Sequence, residues 1–277
     1  MIKMILLAEN YVKDAACRAE FGLSIYLETG GRKILFDTGA SELFGENAAK
    51  KGVDIGDIDA CVISHGHQDH TGGMIRFFRE NKKAKIYLHK DAFGVTYGTT
   101  DGQLDDYDCG ILWQESDLAP YRDRFVLTDG PVWLTEDMVI SGAIPSLPEF
   151  QPVEEFYRLD ETGGLRRDTM SHEQFLAIRG EKGVVLFSGC SHKGIVAAVE
   201  YAKVLFPGEK IRGVVGGMHL IAATPAMCRQ IIDRLAAEEP EVVMPIHCTG
   251  LRAICQIKAA LGDRCVLNGT GGEYIFD

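Results

Sequence analysis

The chain has 277 residues, of which 46% are hydrophobic and 25% are charged. This length and composition are typical of one large globular domain or two small ones. The 29 Lys and Arg residues against 40 Asp and Glu residues give a formal net charge of -11, which disfavours contact with a nucleic-acid backbone. The longest apolar runs, such as 2–8 and 183–187, are far shorter than the roughly 20 residues of a membrane span. We therefore expect no nucleic-acid partner and no membrane partner.

The eight cysteines lie in apolar or helical contexts, and no two of them form a CxxC pair. This spacing is typical of buried thiols in a reducing compartment. The strand-like run at the N-terminus has one lysine and no small-residue cleavage site, so it does not resemble a signal peptide. We therefore expect a cytoplasmic protein, and a homo-oligomer is compatible with the sequence.

The first half of the chain predicts alternating strands and helices. The residues "TGG" are expected to form a hairpin turn between the second and third strands. The run "FDTGAS" ends a strand and opens a helix over 41–51, and Thr71 is expected to N-cap a helix that runs to about 81. Residues 94–124 are polar, acidic and poorly periodic, which predicts an inserted loop or lid. Strands are expected over 2–8, 23–28, 33–36, 58–64 and 84–89.

The second half becomes more regular towards its end. After an irregular stretch up to about 166, three strand-turn-helix units follow, in which the helices begin near 193, 224 and 250. Strands are expected near 125–127, 132–134, 138–140, 183–189, 211–217, 241–247, 264–267 and 273–276. This alternation predicts an α/β fold with two sheets and helices on their outer faces.

The segment "CVISHGHQDHTGG", residues 61–73, places three histidines and an aspartate in one turn directly after a buried strand. His65 and His67 are two apart in an extended turn, so their side chains point the same way, while Asp69 and His70 can face a second ion. Imidazole nitrogen and carboxylate oxygen are ligands of zinc and similar divalent ions. A solvated polar turn is the alternative, but the position between a strand and a helix favours metal binding.

Three further histidines follow the carboxyl ends of predicted strands, where functional side chains collect in α/β folds. His192 lies in "SGCSH", His219 in "GGMHL" and His247 in "PIHCTG". His219 is expected either to face the substrate or to fix its own loop by a hydrogen bond. Asp37 in "FDTG" is expected to stand behind the metal ligands and to orient one of the histidines. The histidines without such spacing are expected to be structural or solvated: His89 and His172.

Two of the loops that carry these histidines lead into helix N-termini, where free backbone N–H groups favour an anion. Lys193 and Thr249 stand beside these N-termini and are candidate substrate contacts for a phosphate or a carboxylate. The alternatives are that Lys193 is a solvent-exposed residue of the first helical turn and that Thr249 is a helix cap. The substrate class that we expect is a small anionic molecule.

The pattern H-x-H-x-D-H in "SHGHQDHTGG" resembles the signature of the metallo-β-lactamase superfamily, and "FDTG" resembles the aspartate turn before that signature. More narrowly, "EFGLSIYLE", "FSGCSHKGIV", "VVGGMHL" and "PIHCTG" resemble the branch of the 7,8-dihydropterin-6-methyl-4-(β-D-ribofuranosyl)aminobenzene-5′-phosphate synthases. The resemblance runs from about Phe21 to Gly272. It implies an αββα sandwich of two mixed sheets with helices on the outer faces, formed by a single domain over 1–277. It also implies one or two metal ions at the sheet edge.

The resemblance implies metal ligands in the signature and near the C-terminus: His65, His67, Asp69, His70 and His247. Cys190 stands where typical members carry a bridging aspartate, and "SGAIPS" stands where they carry a further histidine. His192 is the expected replacement because it is the only histidine in its loop, and Cys190 is a softer alternative. Phe21 stands where the narrower branch usually has histidine.

The resulting hypothesis is a metal-dependent hydrolase in which a metal-bound hydroxide attacks a small phosphorylated or carboxylated substrate. Asp69 would hold one metal and help to orient the nucleophile, and His219, Lys193 or Thr249 would meet the developing negative charge, with Asp69 and His219 as the candidate catalytic residues. Zinc is the expected cofactor, in one or two positions, with manganese or iron as alternatives. The alternative functions are a pterin-related synthase that uses the metal as a Lewis acid and a metal-dependent ligand sensor without catalysis.

Overall fold

The sheets of the fold consist of short strands that are rich in β-branched and aromatic residues. The computed structural model describes residues 1–100, 102–113, 115–160 and 162–277. In chain order the strands are β1 (Ile2–Ala8), β2 (Ser24–Thr29), β3 (Arg32–Phe36), β4 (Ala60–Val62), β5 (Lys85–His89), β6 (Thr96–Tyr97), β7 (Thr99–Thr100), β8 (Gln103–Leu104), β9 (Phe125–Thr128), β10 (Val132–Thr135), β11 (Met138–Ile140), β12 (Tyr157–Leu159), β13 (Leu165–Arg167), β14 (Leu176–Gly180), β15 (Gly183–Ser188), β16 (Ile211–Gly216), β17 (Val242–Pro245) and β18 (Glu273–Phe276).

Helices connect the strands and cover the sheets. The α-helices are α1 (Leu43–Lys50), α2 (Gln68–Thr71), α3 (Met74–Glu80), α4 (Glu115–Leu118), α5 (Ile195–Leu205), α6 (Pro225–Ala237) and α7 (Leu251–Leu261). Short 3₁₀ helices occur at Ile55–Asp57, Ala119–Arg124, Pro148–Phe150, His247–Thr249 and Gly262–Arg264. Helix α6 begins at Pro225, close to the predicted start near 224, and Thr224 caps it because its hydroxyl accepts a hydrogen bond from the Met227 amide at 3.2 Å. Within the described ranges, no helix is long and apolar enough to cross a membrane.

The first sheet has the strand order β18-β1-β2-β3-β4-β5-β9. Its β18-β1-β2-β3 part is antiparallel, and β3, β4, β5 and β9 run parallel to one another. The predicted hairpin joins β2 to β3 through Gly30 and Gly31, whose φ angles are 56° and 73°. Two successive positive φ angles suit a two-residue hairpin turn, and glycine adopts them without steric cost.

The second sheet has the order β10-β11-β14-β15-β16-β17. Its first four strands are antiparallel, whereas β15, β16 and β17 are parallel and are connected by α5 and α6. Each connection is therefore a strand-helix-strand unit, as the repeated strand-turn-helix pattern predicts. The parallel strands of this sheet end in the loops that carry Cys190, His219 and His247.

Alternating side chains on each strand divide the apolar core into three layers. On β1, Met4 and Leu6 pack between the two sheets, whereas Ile5 and Leu7 point outwards to the layer under α1 and α3. A third apolar layer packs α5, α6 and α7 against the outer face of the second sheet. The layers therefore follow the order helix, sheet, sheet, helix, and the expected αββα sandwich is confirmed.

Several predicted elements differ from the structure. Thr71 is not an N-cap, because its hydroxyl donates to the His67 carbonyl at 2.9 Å from within α2, and α3 begins after Gly73. The closing strand predicted over 264–267 is a single bridge between Val243 and Cys265. The stretch before β15 contains the unpredicted strand β14, which pairs along its whole length with β15.

The segment 94–124, expected to be an inserted loop or lid, contains short elements of its own, apart from residues 101 and 114, which lie outside the described residues. Strand β6 pairs with β12, β12 pairs with β13, and β7 forms a small hairpin with β8. This small sheet joins the polar segment to the equally irregular stretch around 150–167. Strands of two residues have no periodicity that a sequence pattern could show.

Candidate metal centre

Side chains that follow parallel strands of both sheets meet at one edge of the sandwich. The motif 65–70 follows β4 of the first sheet, and Cys190 and His192 follow β15 of the second sheet. His65 Nε2 lies 3.2 Å from His192 Nε2, and His70 Nε2 lies 3.1 Å from Cys190 Sγ. The fold thus brings into contact residues that are 127 and 120 positions apart in the chain.

Within the described part of the chain, ligand-type side chains form four groups, and the ligand atoms of each group lie within 4.8 Å of one another. Cys190 belongs to three of these groups, so its thiol stands at the centre of the site. The groups are His65, His67 and Asp69; His65, Cys190 and His192; Asp69, His70, Cys190 and His247; and Cys190, His219 and Cys248. The structure therefore brings together all the residues that were predicted as metal ligands.

Asp37, predicted to orient one of the histidines, contacts His70 directly and reaches His65 through Ser64. Its Oδ2 lies 2.6 Å from His70 Nδ1 and accepts a hydrogen bond from the Ser64 hydroxyl at 2.7 Å. The same hydroxyl lies 2.9 Å from His65 Nδ1. Asp37 has a φ of 60°, an unusual backbone conformation that aims its carboxylate into this network. Both Nδ1 atoms are thereby occupied, and both Nε2 atoms point into the site.

Glu173 fixes the loop that carries His192. Its Oε1 accepts a hydrogen bond from the His192 amide at 2.6 Å, and its Oε2 accepts one from the Lys193 amide at 2.7 Å. Burial raises the pKa of Glu173 to about 7, although the two amide hydrogen bonds lower it. The adjacent His172 accepts a hydrogen bond from the Gly66 amide at 3.2 Å and so helps to hold the turn that carries His65 and His67.

Glu9 and Asn10 hold His247 at the opposite side of the site. Glu9 Oε1 accepts a hydrogen bond from the His247 amide at 2.8 Å, and Asn10 Oδ1 lies 2.9 Å from His247 Nδ1. His247 has a φ of 52°, so these contacts maintain a backbone conformation that is uncommon for histidine. Its Nε2 is then directed towards Asp69, whose Oδ2 is 3.1 Å away.

Burial keeps three of the clustered histidines neutral. Burial, reinforced by neighbouring imidazoles, lowers the pKa of His67 to about 3. The same causes lower the pKa values of His65 and His192 well below the ordinary value for histidine. Near neutral pH these imidazoles therefore carry free lone pairs, which is the form that binds metal.

On the side of the site near His70, the carboxylates of Asp69 and Asp37 favour a positive charge. Burial alone would raise the pKa of Asp69, but the imidazoles of His70 and His247 outweigh it and hold that pKa below its usual range. Burial also lowers the pKa of His70, but the carboxylates of Asp69 and Asp37 raise it to about 9. In the metal-free protein a proton on His70 therefore occupies a place that is also suited to a cation.

Unpaired nitrogen atoms show that these residues fit a divalent ion. His67 Nε2 and His247 Nε2 are buried and have no hydrogen-bond partner, since the approach of His247 to Asp69 has no hydrogen-bond geometry. A buried polar atom without a partner costs about 1–3 kcal/mol. Imidazole nitrogens, a carboxylate and a thiol form a donor set that zinc-type ions accept, so a bound cation would satisfy both nitrogen atoms.

A cleft of about 390 Å³ opens onto these groups and reaches Asp69, Cys190, His192 and His219. Its other lining residues include three aromatic side chains and two carboxylates, and among the described lining residues there is no lysine or arginine. The segment 94–124 supplies part of the wall. The aromatic and acidic residues are Phe21, Tyr107, Phe156, Asp105 and Glu154.

Thr249 lies below the site and does not line the cleft. It is buried, its hydroxyl donates to the Ile246 carbonyl at 2.7 Å, and the same oxygen accepts a hydrogen bond from the Met218 amide at 3.1 Å. It is also not the residue before α7, which is Gly250. A substrate contact by Thr249 therefore does not fit this placement, because the hydroxyl is already used to hold the neighbouring loops.

Lys193 faces a neighbouring cavity of about 210 Å³, which shares Glu154, Phe156 and His192 with the cleft. Its ammonium group donates to the Ser146 hydroxyl at 2.5 Å and to the Thr169 carbonyl at 3.2 Å. Burial lowers its pKa. The alternative of a solvent-exposed lysine is therefore wrong, since only 8% of Lys193 is exposed.

Several residues of the site were missed from the sequence. Glu9 and Asn10 directly follow β1, so the criterion that found the histidines, a polar residue at a strand end, would also have found them. Ser64 and Cys248 are direct neighbours of predicted ligands. Glu154 and Glu173 lie outside such positions, and only the folded chain brings them to the site: Glu154 through its ion pair with His219 and Glu173 through its contacts with the His192 loop.

The comparisons with known proteins agree with this geometry. A family model described as the metallo-beta-lactamase superfamily matches residues 17–209. The 7,8-dihydropterin-6-methyl-4-(beta-D-ribofuranosyl)-aminobenzene-5'-phosphate synthase of Methanocaldococcus jannaschii is 32% identical over 265 residues, which cover 91% of this chain and 89% of that protein. An uncharacterized protein of the same organism is 30% identical over 264 residues and covers 93% of each chain.

Among solved structures, a metal-dependent hydrolase of the beta-lactamase superfamily is similar over the whole length. The alignment covers 100% of this chain and 99% of that chain, with a TM-score of 0.83 and 26% sequence identity.

Proposed function

Because the chain belongs to the metallo-β-lactamase superfamily, whose fold supports metal-dependent hydrolysis, we propose that it hydrolyses a small phosphorylated or carboxylated substrate. One observation carries this proposal: two sets of metal-ligating side chains share the Cys190 thiol under an open cleft. A purely structural metal site is closed to solvent, whereas a catalytic site keeps a face open to substrate. The cleft supplies that open face.

The ligand groups suggest how two divalent ions would be held. His65, His67 and His192 would hold one ion, and Asp69, His70 and His247 would hold the second, with Cys190 within reach of both. When bound, such ions supply Lewis acidity and bring the pKa of a coordinated water close to neutrality. We propose zinc, because a site that combines thiolate with imidazole favours zinc over manganese and iron.

The proposed role of Cys190 requires a thiol. All eight cysteines of the chain are free. A reducing compartment preserves such thiols, and the proposed location is therefore the cytoplasm.

Asp69 and His219 are the proposed catalytic residues beside the substrate. The Asp69 carboxylate is ionised at neutral pH and lines the cleft, so it can accept a hydrogen bond from the attacking water and orient it. Burial lowers the pKa of His219, but Cys248 and Glu154 outweigh burial and raise it to about 10. A protonated His219 can donate a hydrogen bond to the negative charge that develops on the substrate.

Lys193 is the proposed contact for the anionic group of the substrate. Its cavity adjoins the cleft through His192, Glu154 and Phe156. A phosphate or carboxylate that reached this cavity would replace the Ser146 hydroxyl as the partner of the ammonium group. Its position would then orient the bond to be cleaved towards Asp69.

A pterin-related synthase is the second candidate, and the walls of the cleft favour it. Phe21, Tyr107 and Phe156 offer aromatic faces to a planar ring, and Asp105 and Glu154 can accept hydrogen bonds from ring N–H groups. The relative from Methanocaldococcus jannaschii is named as a synthase of this kind. Condensation of a pterin with a ribosyl phosphate compound, detected by product analysis, would favour this function over hydrolysis.

The hydrolase proposal predicts turnover of at least one generic substrate in a panel of phosphodiesters, lactones and thioesters. We expect His67→Ala to lower kcat/KM by about 100-fold or more, because a bound ion contributes several kcal/mol to such reactions. His89→Ala is the matched control, since His89 is also buried but lies outside the ligand groups. Stoichiometric metal without turnover of any substrate would contradict the hydrolase and favour a ligand sensor.

A further inference from the structure

The fourth group of ligands holds neither of the two proposed ions, and its member Cys248 has no role in the proposed reaction. Cys190 Sγ, Cys248 Sγ and a ring nitrogen of His219 lie within 4.8 Å of one another. They come from the loops after β15, β17 and β16, three adjacent parallel strands of one sheet. Cys248 and His219 belong to no other group of ligands.

Unpaired polar atoms surround this cluster. Both ring nitrogens of His219 and the Oε2 of Glu154 are buried and have no hydrogen-bond partner. His219 Nε2 nevertheless lies 3.0 Å from Glu154 Oε2. The ion pair compensates these two atoms, but His219 Nδ1 has no such partner and loses its hydrogen bonds to water without replacement. This nitrogen is therefore available to a group that the polypeptide itself does not supply.

The backbone around the cluster is tightly fixed. The Gly217 amide donates to the Gly189 carbonyl at 2.8 Å, and a Cβ added at Gly217 would lie 2.6 Å from Cys248 Sγ. His219 has a φ of 48°, an uncommon conformation for a residue other than glycine. A preorganised arrangement of this kind keeps the two thiols and the imidazole together instead of letting them move apart.

We propose that Cys190, Cys248 and His219 form a third cation position, which takes a thiophilic divalent ion such as zinc. Two thiolates and one imidazole form a known zinc donor set, and the fourth position would face the cleft, which all three residues line. Glu154 completes the pattern, because a metal-bound histidine commonly donates its second ring N–H to a carboxylate. This position rests on the same cleft as the proposed hydrolase but does not require hydrolysis.

The third position refines the role of His219. A proton and a cation compete for the same imidazole, so the loaded protein would present the cation to the substrate at the place where the metal-free protein presents a proton. Cys190 is common to the third position and to both others, so it would be shared. We therefore expect the third ion to bind more weakly than the other two.

Titration of the metal-free protein with cobalt(II), and with zinc(II) followed by elemental analysis, tests this position. Cobalt bound to thiolate gives a sulfur-to-metal absorption band, which counts thiolate contacts without an activity assay. We expect Cys248→Ser to bind one equivalent less than the natural chain and to lose about half of that band, since Cys190 remains. His219→Gln should lose the same equivalent and serves as a second variant should Cys248→Ser fold poorly.

The matched control is Cys265→Ser, which also replaces a buried thiol but lies outside every ligand group. It should keep the full stoichiometry and the full band. Equal stoichiometry in the natural chain, Cys248→Ser and His219→Gln would overturn the third position and leave the proposed hydrolase intact. A natural chain that binds no metal at all would overturn both proposals.

Discussion

At the scale of single residues, one buried carboxylate controls two ligands of the proposed first and second ions. Asp37 contacts His70 directly and reaches His65 through the Ser64 hydroxyl. It therefore selects which ring nitrogen of each histidine faces the site, although it contacts no ion itself. Such supporting groups are as important for metal affinity as the geometry of the ligands.

The prediction at this scale concerns Asp37→Asn. The variant keeps the size of the side chain but loses the negative charge, so we expect a 10- to 100-fold weaker hold on metal, of the order found for such outer contacts. Competition with a chromophoric chelator measures this affinity. Asp57→Asn, which removes a half-exposed carboxylate at the surface, should leave the affinity unchanged. Equal affinities of the two variants would show that Asp37 does not orient the ligands.

The residues of the signature could be predicted because their chemistry is local: four ligand-type side chains follow one strand within six positions. Glu173 could not be predicted, because it precedes β14 and reaches the site only when that strand pairs with β15. Thr249 shows the opposite error. A hydroxyl beside a helix start suggests an anion contact. In the folded chain, however, this hydroxyl forms hydrogen bonds with the Ile246 carbonyl and the Met218 amide.

At the scale of elements, the turn region between β4 and α3, which includes the short helix α2, is packed too closely for larger residues at two of its glycines. A Cβ added at Gly66 would overlap the carbonyl of Ala92, and one added at Gly72 would overlap the carbonyl of Ala40. These glycines are required by close approach of the backbone rather than by an unusual φ angle. The turn is therefore held by its neighbours as well as by its own hydrogen bonds.

We predict that Gly66→Ala lowers the free energy of unfolding by about 1–3 kcal/mol, the usual range for overpacking. Urea denaturation measures this change. Gly130→Ala is the control, because a Cβ at Gly130 meets no atom within 4 Å. The same destabilisation in both variants would mean that the loss comes from altered backbone freedom and not from contact with Ala92.

Most of the regular elements follow from periodicity in the sequence. Alternation or apolar runs predict β1, β15, β16 and β17, and the helices after the last three strands begin within two residues of their predicted starts. Strands β12 and β13 were not predicted, since both are short, β12 is only half-buried and β13 is exposed. β12 pairs with β6, which lies far away in the chain, and no local sequence pattern reports such a pairing.

At the scale of the whole molecule, the ligand groups join the two sheets. The first sheet contributes His65, His67, Asp69 and His70, and the second contributes Cys190, His192 and His247. A cation held by both sets connects the halves of the sandwich. Its binding free energy therefore adds to the stability of the fold, since the unfolded chain cannot assemble the site.

We predict that chelation lowers the melting temperature. Ions present at about 1,000 times their Kd contribute about 4 kcal/mol, which corresponds to a fall of roughly 10 °C for a chain of this size. Differential scanning calorimetry with and without a chelator measures the shift. The His67→Ala variant should show a smaller shift. An unchanged melting temperature of the natural chain would mean that no ion connects the two sheets.

The anchoring of His247 by Glu9 and Asn10 has a consequence for the newborn polypeptide. Glu9 and Asn10 precede His247 by 238 and 237 positions. At about 5–20 residues per second, His247 is therefore synthesised tens of seconds after them. For most of that time the turn at 65–70 has also been synthesised but lacks its distant partners. The complete site is thus among the last features to form during translation. A chain released early would contain the residues 65–70 but would lack His247 and its contacts with Glu9 and Asn10.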